Sequence, residues 1–98
     1  MASDSEIFRE IIEANARGET VALATVVKAE GSTPGKVGFK MLVYSDGRIL
    51  GTVGGGRNEA EVRAQSMGVM RTGEASSRTH QTFGSVFLFC THFKLRAC

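Results

Sequence analysis

Two glycine-rich stretches hold the residues best suited to binding chemistry: Gly31-Ser32-Thr33-Pro34-Gly35-Lys36-Val37-Gly38 and Gly54-Gly55-Gly56-Arg57. Glycine lets a ligand approach the backbone closely and admits positive φ. A helix expected from residue 58 leaves its first N–H groups without intrahelical partners, and its dipole favours an anion there. Ser32 and Thr33 add hydroxyls, and Lys36, Lys40 and Arg57 add positive charge. Gly31, Ser32, Thr33, Lys36, Gly54, Gly55, Gly56 and Arg57 are therefore the candidate site, a cradle for a phosphate-bearing small molecule. The same glycines would equally serve as tight turns with no ligand at all.

Other chemistries fail on residue types. A Walker A loop needs Gly-x-x-x-x-Gly-Lys-Ser/Thr, and Gly35-Lys36 is preceded by Glu30 and followed by Val37. Gly51-Thr52-Val53-Gly54-Gly55-Gly56 lacks dinucleotide-fingerprint spacing and follows a hairpin strand instead of opening a βαβ unit. Ser32 and Thr33 have no activating histidine or acid, so they read as phosphate ligands or turn caps. Asp46 sits at the far hairpin end and Glu59 stands alone, which leaves no acidic pair for Mg²⁺. Cys90, His92 and Cys98 do not have zinc spacing, and Cys90 reads as a small buried hydrophobe. His80 lies in a polar stretch and reads as a solvated loop residue, and Glu59 as a dipole partner in a helix's first turn. No catalytic or metal-ligating residue is assigned, and the chain is read as turning nothing over by itself.

The elements that must position these loops are legible. A helix over residues 5–17 can be capped by Ser3 or Asp4, with Glu6 in capping-box position. Ile7, Phe8, Ile11, Ile12 and Ala14 share its apolar arc, and Gly18 ends it. Residues 20–29 form a strand apolar on both faces, as suits an interior position. Residues 40–45 and 48–53 are strands joined by Asp46-Gly47, a two-residue hairpin signal. With Ser45 opposite Arg48, Val43 faces Leu50 and Met41 faces Thr52. The triple glycine then comes level with Val37, Gly38 and Phe39. That register carries the two glycine loops to one end of the sheet. Residues 58–72 form a second helix with Asn58 as cap, a poor apolar pattern and Gly68 in its middle. Beyond it, 86–90 is a candidate strand.

The resulting fold class is α+β: an N-terminal helix, a small three- to four-stranded sheet containing a β-hairpin, and a helix after the Gly-Gly-Gly loop. Ninety-eight residues suffice for one core. The net charge of +2 argues against a nucleic-acid surface. The longest apolar runs fall far short of a membrane span, and the acidic N-terminus is unlike a secretory signal, which points to the cytoplasm. Two cysteines make no disulfide framework.

Residues 21–73 also resemble the N-terminal domain of the XdhC/CoxI family, accessory proteins of molybdenum hydroxylases such as xanthine dehydrogenase. The likeness is carried by Ala24-Thr25-Val26-Val27, Gly31-Ser32-Thr33-Pro34, Gly38-Phe39-Lys40-Met41, Asp46-Gly47-Arg48 and Gly51-Thr52-Val53-Gly54-Gly55-Gly56 with Glu59 following. It implies a chaperone that binds molybdenum cofactor and hands it to the hydroxylase, with a homo-oligomeric state expected because the small sheet leaves an open edge. It implies a first domain over 1–75 and a tail over 76–98 outside the likeness, with no counterpart here of the family's larger C-terminal Rossmann-like domain. It also implies Cys where Arg57 stands, a soft ligand that arginine cannot replace, and Arg where Gly35 stands. The competing expectation is a protein-interaction module that assembles with a hydroxylase and binds no ligand.

Overall fold

The computed structural model describes residues 3–31, 36–54, 57–74, 76–81 and 84–93. In chain order these form α1 (Asp4–Ala16), β1 (Val21–Gly31), β2 (Lys40–Tyr44), β3 (Ile49–Gly51), α2 (Arg57–Thr72), β4 (Ser76–Gln81) and β5 (Gly84–Phe93). The strands make one antiparallel sheet in the order β3-β2-β1-β5-β4. The α+β class, the hairpin and the helix after the glycine loop are as expected. The sheet has five strands, one more than the largest expected number.

α1 begins on a complete capping box. Ser3 Oγ accepts the Glu6 N–H at 3.2 Å, and the Glu6 carboxylate accepts the Ser3 N–H at 3.5 Å. It ends in a Schellman motif: Gly18 has φ +82°, its N–H reaches the Asn15 carbonyl, and the Glu19 N–H reaches that of Ala14. Only Ile7, Ile11 and Ala14 of the apolar arc are buried, a span of about 60° at 100° per residue. Phe8 and Ile12 are 47% and 70% exposed, on the flank of α1 turned away from its packing against β1 and β2.

Alternation in the strands sorts the core into two layers. Val21, Leu23, Leu42 and Tyr44 face α1 with Ile7, Ile11 and Ala14. Ala24, Val26, Met41 and Val43 face α2 with Val53, Val62 and Val69. β1 is thus covered on both faces through Val26, as its two-sided apolar pattern requires.

The hairpin register differs from the expected one by a residue. The Tyr44 N–H donates to the Arg48 carbonyl, and the Gly47 N–H donates to the Tyr44 carbonyl, each at 2.9 Å. The loop is therefore Ser45-Asp46-Gly47, three residues long, with Gly47 at φ +94°. Asp46 locks it by accepting from both the backbone N–H (3.0 Å) and the guanidinium (2.7 Å) of Arg48. Leu42 now pairs Leu50, and Val43 pairs Ile49, which turns Leu50 toward the α1 layer. Met41 pairs Gly51, not Thr52.

Two late elements also depart from expectation. α2 starts at Arg57, so Asn58 lies inside its first turn and is not the cap. The tail forms a second hairpin: β5 extends well beyond 86–90 and inserts between β1 and β4, while His80 belongs to β4 rather than a loop. β4 reads Ser-Ser-Arg-Thr-His-Gln, a wholly polar edge strand whose partner, not its hydropathy, makes it a strand.

Gly68 lies within α2, where, among the described residues, an added Cβ would meet only the Arg71 guanidinium at 3.9 Å. Gly68→Ala is expected to raise stability by about 0.5–1 kcal/mol through helix propensity and a less flexible unfolded chain. An upward shift in the urea midpoint would register this, and an unchanged or lower midpoint would count against it.

Candidate functional site

The topology brings three chain ends to one rim of the sheet. β2 starts there at Lys40, antiparallel β3 finishes there at Gly51, and α2 begins a few residues later at Arg57. The turn before β2 docks at the same level. The Val26 N–H donates to the Phe39 carbonyl, and the Gly38 N–H donates to the Val26 carbonyl, each at 2.9 Å. The Lys36–Phe39 turn leads directly into β2, and Gly54 follows β3, the neighbour of β2 in the sheet. The described residues that flank the two loops, Lys36 to Gly38 and Gly54, thus fall at one rim despite the one-residue change in register.

The route from β3 into α2 is tied by side chains. The Thr52 N–H donates to the Lys40 carbonyl at 3.1 Å, closing the ladder. Thr52 Oγ1 donates to the Glu59 carboxylate and accepts the Gly54 N–H, the latter at 3.0 Å. Gly54 has φ +121°. Glu59 thus sits in the first turn of α2, favourable to its dipole, and is engaged by a hydroxyl from the strand. Sequence reasoning passes over Thr52, although a hydroxyl two residues before Gly54 and seven before an acid is the signal that could find it. Beside it, a small cleft of about 140 Å³ is lined by Ile49, Glu59, Ala60 and Arg63.

The candidate residues fall into three groups. Lys36 and Gly54 are at the rim, and Lys36 is exposed. Arg57 opens α2 at the same rim. Gly31 is not there: it ends β1, paired with Gly84, five residues beyond Val26 and about 16 Å further along the strand. Ser32, Thr33, Gly55 and Gly56 lie outside the described residues. Lys40 belongs to the rim but its ammonium is occupied, 2.9 Å from Asp4 Oδ2 and 3.0 Å from the Gly38 carbonyl.

Among the described residues, no three His, Cys, Asp or Glu side chains group to hold a metal. Nor is any helix of the described residues long and apolar enough to cross a membrane.

The opposite end of the sheet carries a separate polar network. The Tyr44 hydroxyl is hydrogen-bonded to Glu10, Arg17 pairs with Glu10 (3.0 Å) and Glu19 (3.5 Å), and Arg48 stacks 4.4 Å over the Tyr44 ring. Burial first, then the bond to Glu10, pushes the Tyr44 hydroxyl up to about 12. The Tyr44 hydroxyl and then Arg17 hold the Glu10 carboxyl below its ordinary value. A phenol raised in the folded state contributes stability below its unfolded value near 10, and this is lost as pH climbs toward 12. A depressed carboxylate contributes stability above its ordinary value, lost on acidification. Tyr44→Phe is therefore expected to flatten the alkaline decline in urea midpoint between about pH 10 and 12. Parallel alkaline limbs for the two proteins would remove Tyr44 as the cause.

Comparison with known proteins adds three findings. Residues 14–84 match the model of the XdhC and CoxI family. The chain is 39% identical over 61 residues to the uncharacterized protein YqeB of Escherichia coli (strain K12), an alignment covering 62% of this chain and 11% of YqeB. A crystal structure described as a xanthine dehydrogenase from Bacillus halodurans superposes with a TM-score of 0.83 at 19% identity, over 93% of this chain and 30% of that one. At that identity the superposition speaks to the fold alone. The chain spans 11% of the curated relative's length and 30% of the solved structure's.

Proposed function

The chain belongs to the XdhC and CoxI family, and from that premise we propose that it is an accessory module that binds molybdenum cofactor by its phosphate end for delivery to a molybdenum hydroxylase of the xanthine dehydrogenase type. The observation that carries this reading is the rim itself: a β3–glycine–α2 junction beside a docked, lysine-bearing turn at one end of the sheet. N–H groups at the start of α2 favour a phosphate, and Lys36 supplies an exposed point charge beside them. Ser32 and Thr33 serve as hydroxyl donors, Gly54, Gly55 and Gly56 allow close approach, and Arg57 adds charge where the family resemblance implies a cysteine. Gly31 acts by connecting β1 to that loop.

The donor set fits the phosphate end of the group and not its metal. Nitrogen cations and backbone amides match a phosphate, whereas Arg57 cannot act as a thiolate ligand to molybdenum. When bound, the group carries redox chemistry for the enzyme that receives it; this chain binds and orients it and turns nothing over. Cytoplasmic residence and self-association belong to the same proposal.

Isothermal titration of the chain with molybdenum cofactor tests it. Lys36→Glu combined with Arg57→Glu is expected to weaken binding by about tenfold or more, with less dependence on salt. Affinity unaffected by both reversals would refute the phosphate site. Capture of a hydroxylase by ligand-free chain, indifferent to both substitutions, would favour a purely assembling module.

A further inference from the structure

We propose that Lys40 is a positioning residue for the anion site, holding the Lys36–Phe39 turn in place without meeting the anion; the inference rests on the phosphate-binding reading above. Its side chain is 16% exposed, far less than a free surface lysine, and its ammonium bridges two elements distant in sequence. One contact is Asp4 Oδ2 at 2.9 Å, in the first turn of α1, and the other is the Gly38 carbonyl at 3.0 Å. Gly38 lies within a turn closed by the Phe39 N–H on the Lys36 carbonyl at 3.0 Å, with Gly38 at φ +94°. Val26 grips that turn through two backbone bonds, and Lys40 grips it through the Gly38 carbonyl.

Two physical consequences separate this role from direct anion contact. A carbonyl oxygen left bare at the rim would repel a phosphate, and the ammonium neutralises its dipole. Asp4 in turn balances the charge of Lys40, so the pair adds little net field, while Lys36 retains its charge in solvent. Removing Lys40 and its counter-charge together, as Lys40→Met with Asp4→Asn, should therefore loosen the turn and weaken binding without altering salt dependence. Removal of Lys36 should change both affinity and salt dependence.

The test uses the ¹⁵N-labelled full chain with Lys40→Met, Lys40→Met combined with Asp4→Asn, Lys40→Arg and Lys36→Met, read by amide hydrogen exchange and by titration with molybdenum cofactor across salt concentrations. Lys40→Met is expected to speed exchange at the Phe39 amide by about tenfold while the Leu42 amide holds, and the charge-balanced Lys40→Met with Asp4→Asn to weaken cofactor binding by a similar factor at unchanged salt slope. Lys40→Arg, able to bridge both oxygens, should restore exchange and affinity to within about threefold of the parent. Wild-type exchange at Phe39 in Lys40→Met, or equal loss of affinity in the methionine and arginine variants, would overturn the proposal. A parent chain that binds no cofactor sinks the phosphate reading itself, and the exchange data then still decide whether Lys40 holds the turn.

Discussion

Gly51→Ala is expected to cost about 3 kcal/mol. Gly51 closes β3 at φ +86°, where an L side chain is strained by roughly 1 kcal/mol or more. Space is the greater obstacle. An added Cβ would lie 2.5 Å from the Lys40 carbonyl oxygen and 3.1 Å from Ile7 Cδ1. The isoleucine can rotate away, but the Lys40 carbonyl is held by the Thr52 N–H and cannot yield without unzipping the end of the β2–β3 ladder. Overpacking of this kind typically adds about 1–3 kcal/mol. Gly47 is the control, since it has φ +94° and an added Cβ there would meet nothing within 4 Å. Gly47→Ala should show only the conformational part, about 1 kcal/mol. Urea unfolding of both variants measures the difference, and equal losses would mean that the contact with Lys40 relaxes freely.

Leu42→Ala is expected to cost about 2–5 kcal/mol, a large share of the roughly 5–15 kcal/mol available to a domain of this size. Leu42 is fully buried at the centre of the α1 layer, paired with Leu23 on one side and Leu50 on the other. Ile7, Ile11 and Ala14 belong to the same cluster, so truncation leaves a cavity bounded by a helix and three strands. Hydrogen-bonded strands cannot close inward to fill it, which favours the upper half of the range. Ile12→Ala on the exposed flank of the same helix should change stability by no more than about 0.5 kcal/mol. A Leu42→Ala loss below about 1 kcal/mol would show that α1 can settle onto the sheet and refill the space.

Local signals are legible where a short stretch decides the outcome. Ser3 with Glu6 announces the start of α1, and the two-sided apolar run of β1 announces a covered strand. The Asp46-Gly47 pair announces a hairpin but fits loops of either two or three residues, and Arg48 decides between them through its backbone and guanidinium bonds to Asp46. The inner face of α2 is hidden because Gln65 and Ser66 occupy core positions between Val62 and Val69, so hydropathy alone breaks the periodicity. β4 is hidden because an edge strand can be wholly polar. At the rim, the convergence of Lys36 and Gly54 is foreseeable from strand order. The engagement of Lys40 is not, because Asp4 lies 36 residues away and no local pattern couples the two.

The insertion of β5 beside β1 has a kinetic consequence. Every partner along that flank of β1 comes from residues 84–93, roughly fifty to seventy positions downstream, so closing this pairing carries a heavy loop-entropy cost before any contact rewards it. Until those residues arrive, the central strand presents a long row of unsatisfied amides and carbonyls to whatever else is present. That flank of β1 therefore closes late, and until it does it is an open template for association with other copies of the chain.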